Sequence, residues 1–270
     1  MSFRFKAVCD SSASASGEEL KKQVVNLGDG SEVVHISRFL PLAESWKWFD
    51  YLDKEIPWIR PTIRVYGRSC VQPRDMCYVS SPELMELSYS GYQPHTHSWD
   101  DFPRLRELLD AARISEFSIF YVVTTMKNLI AFVVLFFVKV RKALPGSRFN
   151  SVLLNRYKGG GDYVSWHADD EKLYGLTPEI ASLSFGCERE FLLRKKKPKA
   201  ALQGQGKTAA EEPLSKRLKS NTIDQHSFNL KHGSLLVMRG YTQRDWLHSV
   251  PKRAKATETR INLTFRLIMQ

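Results

Sequence analysis

Asn155-Arg-Tyr157-Lys-Gly159-Gly160-Gly161-Asp-Tyr163-Val-Ser-Trp166-His167-Ala-Asp169-Asp170-Glu171 is the stretch around which the chain is organised. It continues the strand-like run Ser151-Val-Leu-Leu, breaks at three glycines, and resumes at Tyr163 to Trp166. It then delivers a histidine and an aspartate two residues apart. In extended backbone, side chains at i and i+2 share a face. His167 and Asp169 can therefore offer one imidazole and one carboxylate to a single metal ion. A second histidine from elsewhere would complete the 2-His-1-carboxylate set, which holds Fe(II) on one side and leaves its other positions open. His-x-Asp alone is a weak signal, because an ordinary surface turn carries it as well.

With 270 residues the chain can form one large domain or two small ones around a sizeable core. A net charge of +11 suits an anionic partner, or simply a basic soluble protein. The four cysteines, Cys9, Cys70, Cys77 and Cys187, are scattered with no C-x-x-C pair. That argues against a disulfide framework or a zinc ribbon and fits a reducing compartment. The first ten residues hold no apolar stretch of the kind a secretory signal needs.

Downstream of the opening stretch, short apolar runs alternate with turns: Glu179 to Gly186, Glu190 to Arg194, Ser227 to Leu230, Ser234 to Met238, Asp245 to Val250 and Arg260 to Ile268. Even spacing of this kind predicts an antiparallel double sheet, a jelly roll. Residues 195–225 interrupt it with two basic clusters and a polar spacer, read as a solvated, disordered loop or a nuclear-import signal. Upstream, residues 1–22 read as a disordered tail. Val33 to Leu40 reads as a strand running into a turn. Leu42 to Glu55 reads as an amphipathic helix that Pro57 ends, and Thr62 to Gly67 as a short strand. Glu86 to Gly91 alternates like a strand, and Phe102 to Ala112 reads as a helix. From Phe117 to Val138 the chain is almost wholly apolar, with Lys127 near the centre. Buried elements, a membrane anchor and a segment foreign to the fold all fit that run.

A third ligand is needed, and His248 in Trp246-Leu-His-Ser-Val-Pro251 is the best candidate, flanked by apolar strand residues. A hydrogen-bonded core histidine is the plainer reading. In Arg260-Ile-Asn262-Leu-Thr264-Phe-Arg266 a period of 2 places the two arginines, Asn262 and Thr264 on one face. Charged side chains facing inward are costly unless they meet an anion, and guanidinium grips carboxylate bidentately. Asn155 and Tyr157 also share a face and can donate to the same acid. An ordinary solvent-facing side is the alternative.

Six motifs occur in order: Asn-x-Tyr, His-x-Asp-Asp-Glu, Ser-x-Ser-Phe-Gly, His-Gly-Ser-Leu-Leu-x-Met, His-Ser-x-Pro and Arg-x-Asn-Leu-Thr-Phe-Arg. Together they resemble the AlkB family of Fe(II)/2-oxoglutarate dioxygenases, most closely its nuclear DNA-repair branch in eukaryotes. The resemblance covers residues 24–110 and 143–270. It implies an α+β, mainly β fold, a double-stranded β-helix with an N-terminal nucleotide-recognition lid over residues 23–113 and the roll over 142–270. It further implies that His167, Asp169 and His248 ligate Fe(II), and that Arg260, Asn262, Arg266, Asn155 and Tyr157 hold 2-oxoglutarate. The implied substrate is alkylated DNA, duplex or single-stranded, carrying 1-methyladenine or 3-methylcytosine. The alternatives are an RNA N-methyl demethylase of the same family and a catalytically silent nucleic-acid-binding protein compromised by the apolar insertion at residues 114–141. A monomer acting in the nucleus, away from membranes, is expected. Tyr66 matches a tip residue that fills the gap left by a flipped base, and Tyr89 an aromatic that stacks on the damaged base. Arg74 matches a DNA-contacting arginine that would orient Asp170, with Asp170 and Glu171 facing the base. Leu87 departs from the family pattern, which loosens the inference on substrate preference. So do residues 114–141, an apolar insertion between lid and roll that reads as a translated intron or gene-model error.

Overall fold

A computed structural model describes residues 21–65, 68–84, 95–106, 147–197 and 225–269. Its centre is β14 (Arg260–Arg266), antiparallel to β7 (Ser151–Tyr157) on one side and to β9 (Ile180–Gly186) on the other. The major sheet continues outward through β12 (Ser234–Gly240), β2 (Ser31–Ile36) and β1 (Lys22–Gly28). Beyond β7 lie β5 (Asp75–Ser80) and β6 (Thr96–Ser98), giving eight strands in all. A four-stranded sheet in the order β11 (Gln225–Leu230), β10 (Arg189–Lys195), β13 (Trp246–Val250), β8 (Val164–His167) makes the second layer. A hairpin of β3 (Thr62–Val65) and β4 (Arg68–Val71) stands apart from both. Two facing sheets of this kind are the jelly roll that the strand spacing predicts. N-terminal residues complete the major sheet at both of its edges.

Period 2 explains why the major sheet has two buried faces. From β14, Ile261, Leu263 and Phe265 join Val152, Leu154, Ala181, Leu183 and Val237 on the outer face. There they meet Trp48 and Leu52 of α1 (Leu42–Glu55). The alternate residues Ile180, Leu236 and Met238 turn inward against Phe191, Leu193, Phe228, Trp246 and Val250 of the minor sheet. Each such side chain contributes about 1.5–3 kcal/mol of burial. In α1, Glu44 lies in the first turn and Lys54 in the last, complementing the helix dipole, and the helix stops at Ile56 before Pro57.

Several expectations are adjusted by these elements. Strand β1 lies where the sequence shows no strong pattern, because five of its seven residues are exposed. Its turn was nonetheless written in Gly28-Asp29-Gly30, all with positive φ. Strand β8 ends at His167, so Asp169 lies beyond regular extended backbone. The helix expected from Phe102 is helical over 103–106, and its remainder lies outside the described residues. The Glu86–Gly91 strand, the 114–141 insertion, residues 1–20 of the tail and residues 198–224 of the basic loop also lie outside them. Among the described residues no helix is long and apolar enough to cross a membrane.

Candidate metal and co-substrate site

The three-glycine break is a packing requirement at one position. A Cβ on Gly160 would lie 1.9 Å from the Arg253 carbonyl oxygen, whereas one on Gly161 meets nothing within 4 Å. Gly160 accepts a hydrogen bond from Arg253 N at 2.9 Å, so the loop after β7 is stitched to the loop after β13. Arg189 ties the same two loops from below, donating to the carbonyls of Gly159, Asp162 and Pro251. With both ends fixed, β8 and β13 pair with His167 directly opposite His248.

Those two histidines and Asp169 place one ligand atom each within 4.8 Å of one another. His167 Nδ1 lies 2.8 Å from the Ser165 carbonyl, which suits a proton on Nδ1 and leaves the Nε2 lone pair toward the cluster. Nε2 is 3.9 Å from Asp169 Oδ1. His248 stacks on Phe191 at 5.3 Å between ring centres. Burial, followed by the neighbouring His167, lowers its pKa to about 3, so at neutral pH it is an uncharged donor. Burial alone would raise the Asp169 carboxyl, but Arg266, His248 and His167 hold it well below the ordinary carboxylate range. Arg266 donates to Asp169 Oδ2 at 2.8 and 3.2 Å, leaving Oδ1 on the histidine side. The backbone N–H of Asp169 donates to Gln243 Oε1 at 3.0 Å, from the one-turn helix α2 (Thr242–Asp245). Two imidazoles and one carboxylate, each oriented by a second partner, suit a divalent transition metal.

At the other end of the β14 polar face, Arg260 is fully buried. Its Nη2 donates to Ser184 Oγ at 2.9 Å and Asn262 Oδ1 at 3.0 Å, while Nε and Nη1 have no hydrogen-bond partner. Buried donors of a cation left over in this way fit an incoming carboxylate. Asn262 bonds Ser182 and Thr264 with its amide, and Tyr157 lies beneath the Arg260 guanidinium, 5.0 Å from ring centre to Cζ.

A cavity of about 470 Å³ is lined by Arg74, Asn155, Tyr157, Asn262, Arg266 and the three candidate ligands; Arg260, bonded to Asn262 and beside Tyr157, is not on its wall. Ile63, Cys70 and Val71 of the β3–β4 hairpin form one wall. Within it, Arg266 bonds Asp169 at the metal end, because β14 spreads its two arginines six residues apart along the strand. Arg74 does not orient Asp170; its Nε donates to Asn155 Oδ1 at 2.6 Å and its Nη1 to Gln72. Asp170 turns away to Lys196 Nζ at 2.8 Å, and neither it nor the half-buried Glu171 lines the cavity. Past the end of β8 the chain turns, so successive carboxylates no longer share a face. Tyr66 and Tyr89 lie outside the described residues.

Sequence reasoning missed Gln243, Phe191 and Arg189. No pattern marks Gln243, which works from a single helical turn. Arg189 was within reach, since period 2 puts it on the inward face with Phe191 and Leu193.

The sheets and the cluster define a jelly roll whose cavity presents two imidazoles and a carboxylate able to hold one metal ion. A family model described as the 2OG-Fe(II) oxygenase superfamily matches residues 32–266. DNA oxidative demethylase ALKBH2 of Arabidopsis thaliana is 59% identical over 256 residues, which is 94% of this chain and 72% of that protein. Alpha-ketoglutarate-dependent dioxygenase alkB homolog 3 of Homo sapiens is 43% identical over 46% of this chain and 38% of its own length. For ALKBH2 of Homo sapiens the figures are 40% identity over 47% of this chain and 42% of that protein. The chain belongs to the 2OG-Fe(II) oxygenase superfamily and, within it, to the AlkB family. Its members use Fe(II) and 2-oxoglutarate, and His167, Asp169 and His248 can bind the metal.

Proposed function

We propose that the chain repairs N-alkylated bases in DNA, 1-methyladenine and 3-methylcytosine, by oxidative demethylation in the nucleus. The observation that carries this reading is one cavity lined by the His167–Asp169–His248 cluster together with Tyr157 and Asn262, which adjoin Arg260, a buried arginine with donors to spare. The substrate class follows the Arabidopsis relative, whose name is DNA oxidative demethylase and which matches most of this chain.

Iron held by the three ligands would supply the oxidising chemistry, converting 2-oxoglutarate and O2 to succinate and CO2 and hydroxylating an N-methyl carbon that leaves as formaldehyde. The protein's own task is placement. His167, Asp169 and His248 hold the metal from one side. Arg260 receives the distal carboxylate of the co-substrate, with Asn262 and Tyr157 shaping that end. Asn155, braced by Arg74, lines the passage between the two ends. Arg266 keeps Asp169 ionised and fixes which of its oxygens faces the metal. A ring-nitrogen methyl is hidden within a duplex, so the base must be flipped out or met on a single strand. Within residues 23–113 the β3–β4 hairpin walls the cavity and serves as the lid, while β1, β2, β5, β6 and α1 support the major sheet; Tyr66, Arg74 and Tyr89 are the proposed nucleic-acid contacts. The net charge of +11 supplies salt-sensitive phosphate affinity to a monomer.

The test is formaldehyde release from oligonucleotides carrying 1-methyladenine, with Fe(II) and 2-oxoglutarate present. Turnover should appear on DNA and vanish in His167→Ala. A folded protein that turns over methylated single-stranded RNA but not DNA would shift the substrate to RNA, and no turnover on either would overturn the reading.

A further inference from the structure

We propose that Arg189 is a second, positioning cation of the 2-oxoglutarate site, acting across the Tyr157 ring on the distal carboxylate that Arg260 grips. The inference rests on the co-substrate reading above. Arg189 is 1% exposed and Arg260 0%. The Tyr157 ring lies 5.5 Å from the Arg189 Cζ and 5.0 Å from the Arg260 Cζ. Among the described residues neither guanidinium bonds a carboxylate. Arg260 has a hydroxyl and an amide oxygen, and Arg189 has three backbone carbonyls. Asp162, a candidate counter-ion, gives Arg189 its carbonyl and points its carboxylate at Arg60, 2.8 Å away. Nε of Arg189 and two nitrogens of Arg260 are buried without partners.

Burying two like charges beside one ring without a counter-ion is costly unless an anion completes the site. The distal carboxylate of 2-oxoglutarate, but no neutral tail, would relieve both cations at once. Arg189 therefore sets a preference for a dicarboxylate co-substrate without touching it. Its second effect is geometric: its three carbonyl bonds pin the turn before β8 and the end of β13, the two strands that carry His167 and His248. Co-substrate charge and ligand spacing thus share one side chain.

The test compares binding of 2-oxoglutarate with that of 2-oxopentanoate, which has the same five carbons and a methyl in place of the distal carboxylate. Calorimetric titrations use the full chain loaded with Mn(II), so that nothing turns over. Arg189→Gln should weaken 2-oxoglutarate by about tenfold, the scale of one partly screened charge across one ring. It should leave 2-oxopentanoate within about twofold, while Arg189→Lys recovers part of the loss. Equal weakening of both acids, or of neither, in a folded variant would reduce Arg189 to a structural brace and overturn the proposal. Should Arg189→Gln not fold, Arg189→Lys decides: 2-oxoglutarate weakened more than 2-oxopentanoate supports the proposal, and equal weakening of both acids, or of neither, refutes it. If the unmutated protein itself fails to prefer 2-oxoglutarate, the co-substrate reading fails first.

Discussion

Replacing Arg266 with methionine removes both hydrogen bonds that Asp169 Oδ2 accepts, at 2.8 and 3.2 Å. The side chains are 5% and 1% exposed, so solvent screens the pair little and the carboxylate left behind stays buried. Breaking a buried pair from one side costs about 3–5 kcal/mol, a large share of a typical domain's 5–15 kcal/mol. For a chain of this size that corresponds to a fall in Tm of roughly 6–15 °C. The same change frees Asp169 to rotate, and loss of such an orienting partner weakens metal binding by about 10–100-fold. Urea unfolding of the chelator-treated protein reads the first effect, and Mn(II) titration of the folded protein reads the second. Arg266→Lys keeps the charge but loses the fork and should fall between the two. A loss of stability below about 1 kcal/mol, together with unchanged metal affinity, would refute the assigned role of Arg266.

Gly160→Ala forces a Cβ to within 1.9 Å of the Arg253 carbonyl oxygen and should cost about 1–3 kcal/mol in chemical denaturation; Gly161→Ala, with open space, should stay within about 0.5 kcal/mol. Gln243→Leu leaves the buried Asp169 N–H without its acceptor, for a stability loss of about 1–3 kcal/mol and a measurable drop in Mn(II) affinity. Asp75 accepts from Arg60, Arg156 and Lys158; burial would raise its carboxyl, but those cations hold it below the ordinary range. A depressed folded-state pKa stabilises above the unfolded value and is lost as pH falls through the folded one. Asp75→Asn should therefore destabilise by about 1–3 kcal/mol at pH 7, discounted for the exposed partners, and the gap to wild type should narrow toward pH 3.

Much of this architecture was legible because strand period and turn residues are local. The run from Arg260 to Arg266 declared its two faces; the structure buries one against α1, and Asn262, Thr264 and Arg266 of the other line the cavity. His248 could be chosen by its apolar flanks, since a strand interior leaves few alternatives. What stayed hidden depends on contacts distant in sequence. Whether Arg266 meets Asp169 or stands beside Arg260 follows from where β14 lies relative to the loop after β8. The turn beyond His167 sends Asp170 to Lys196, and no spacing rule extends across that turn. His232 and Gly186 seemed motif residues of unstated purpose. The structure gives them a structural one, since Gly186 N donates to His232 Nδ1 at 2.7 Å where α1 packs on the sheet.

The central claim is that one site couples oxidation of 2-oxoglutarate to removal of a methyl group from a base in DNA. The most direct measurement counts three quantities in a single reaction on a 1-methyladenine oligonucleotide: bases repaired, formaldehyde formed and succinate formed. We expect them to rise together near one to one to one, and to fall to background in Asp169→Ala or His248→Ala. Repair that proceeds without 2-oxoglutarate, or that survives loss of either ligand in a folded protein, would contradict the account.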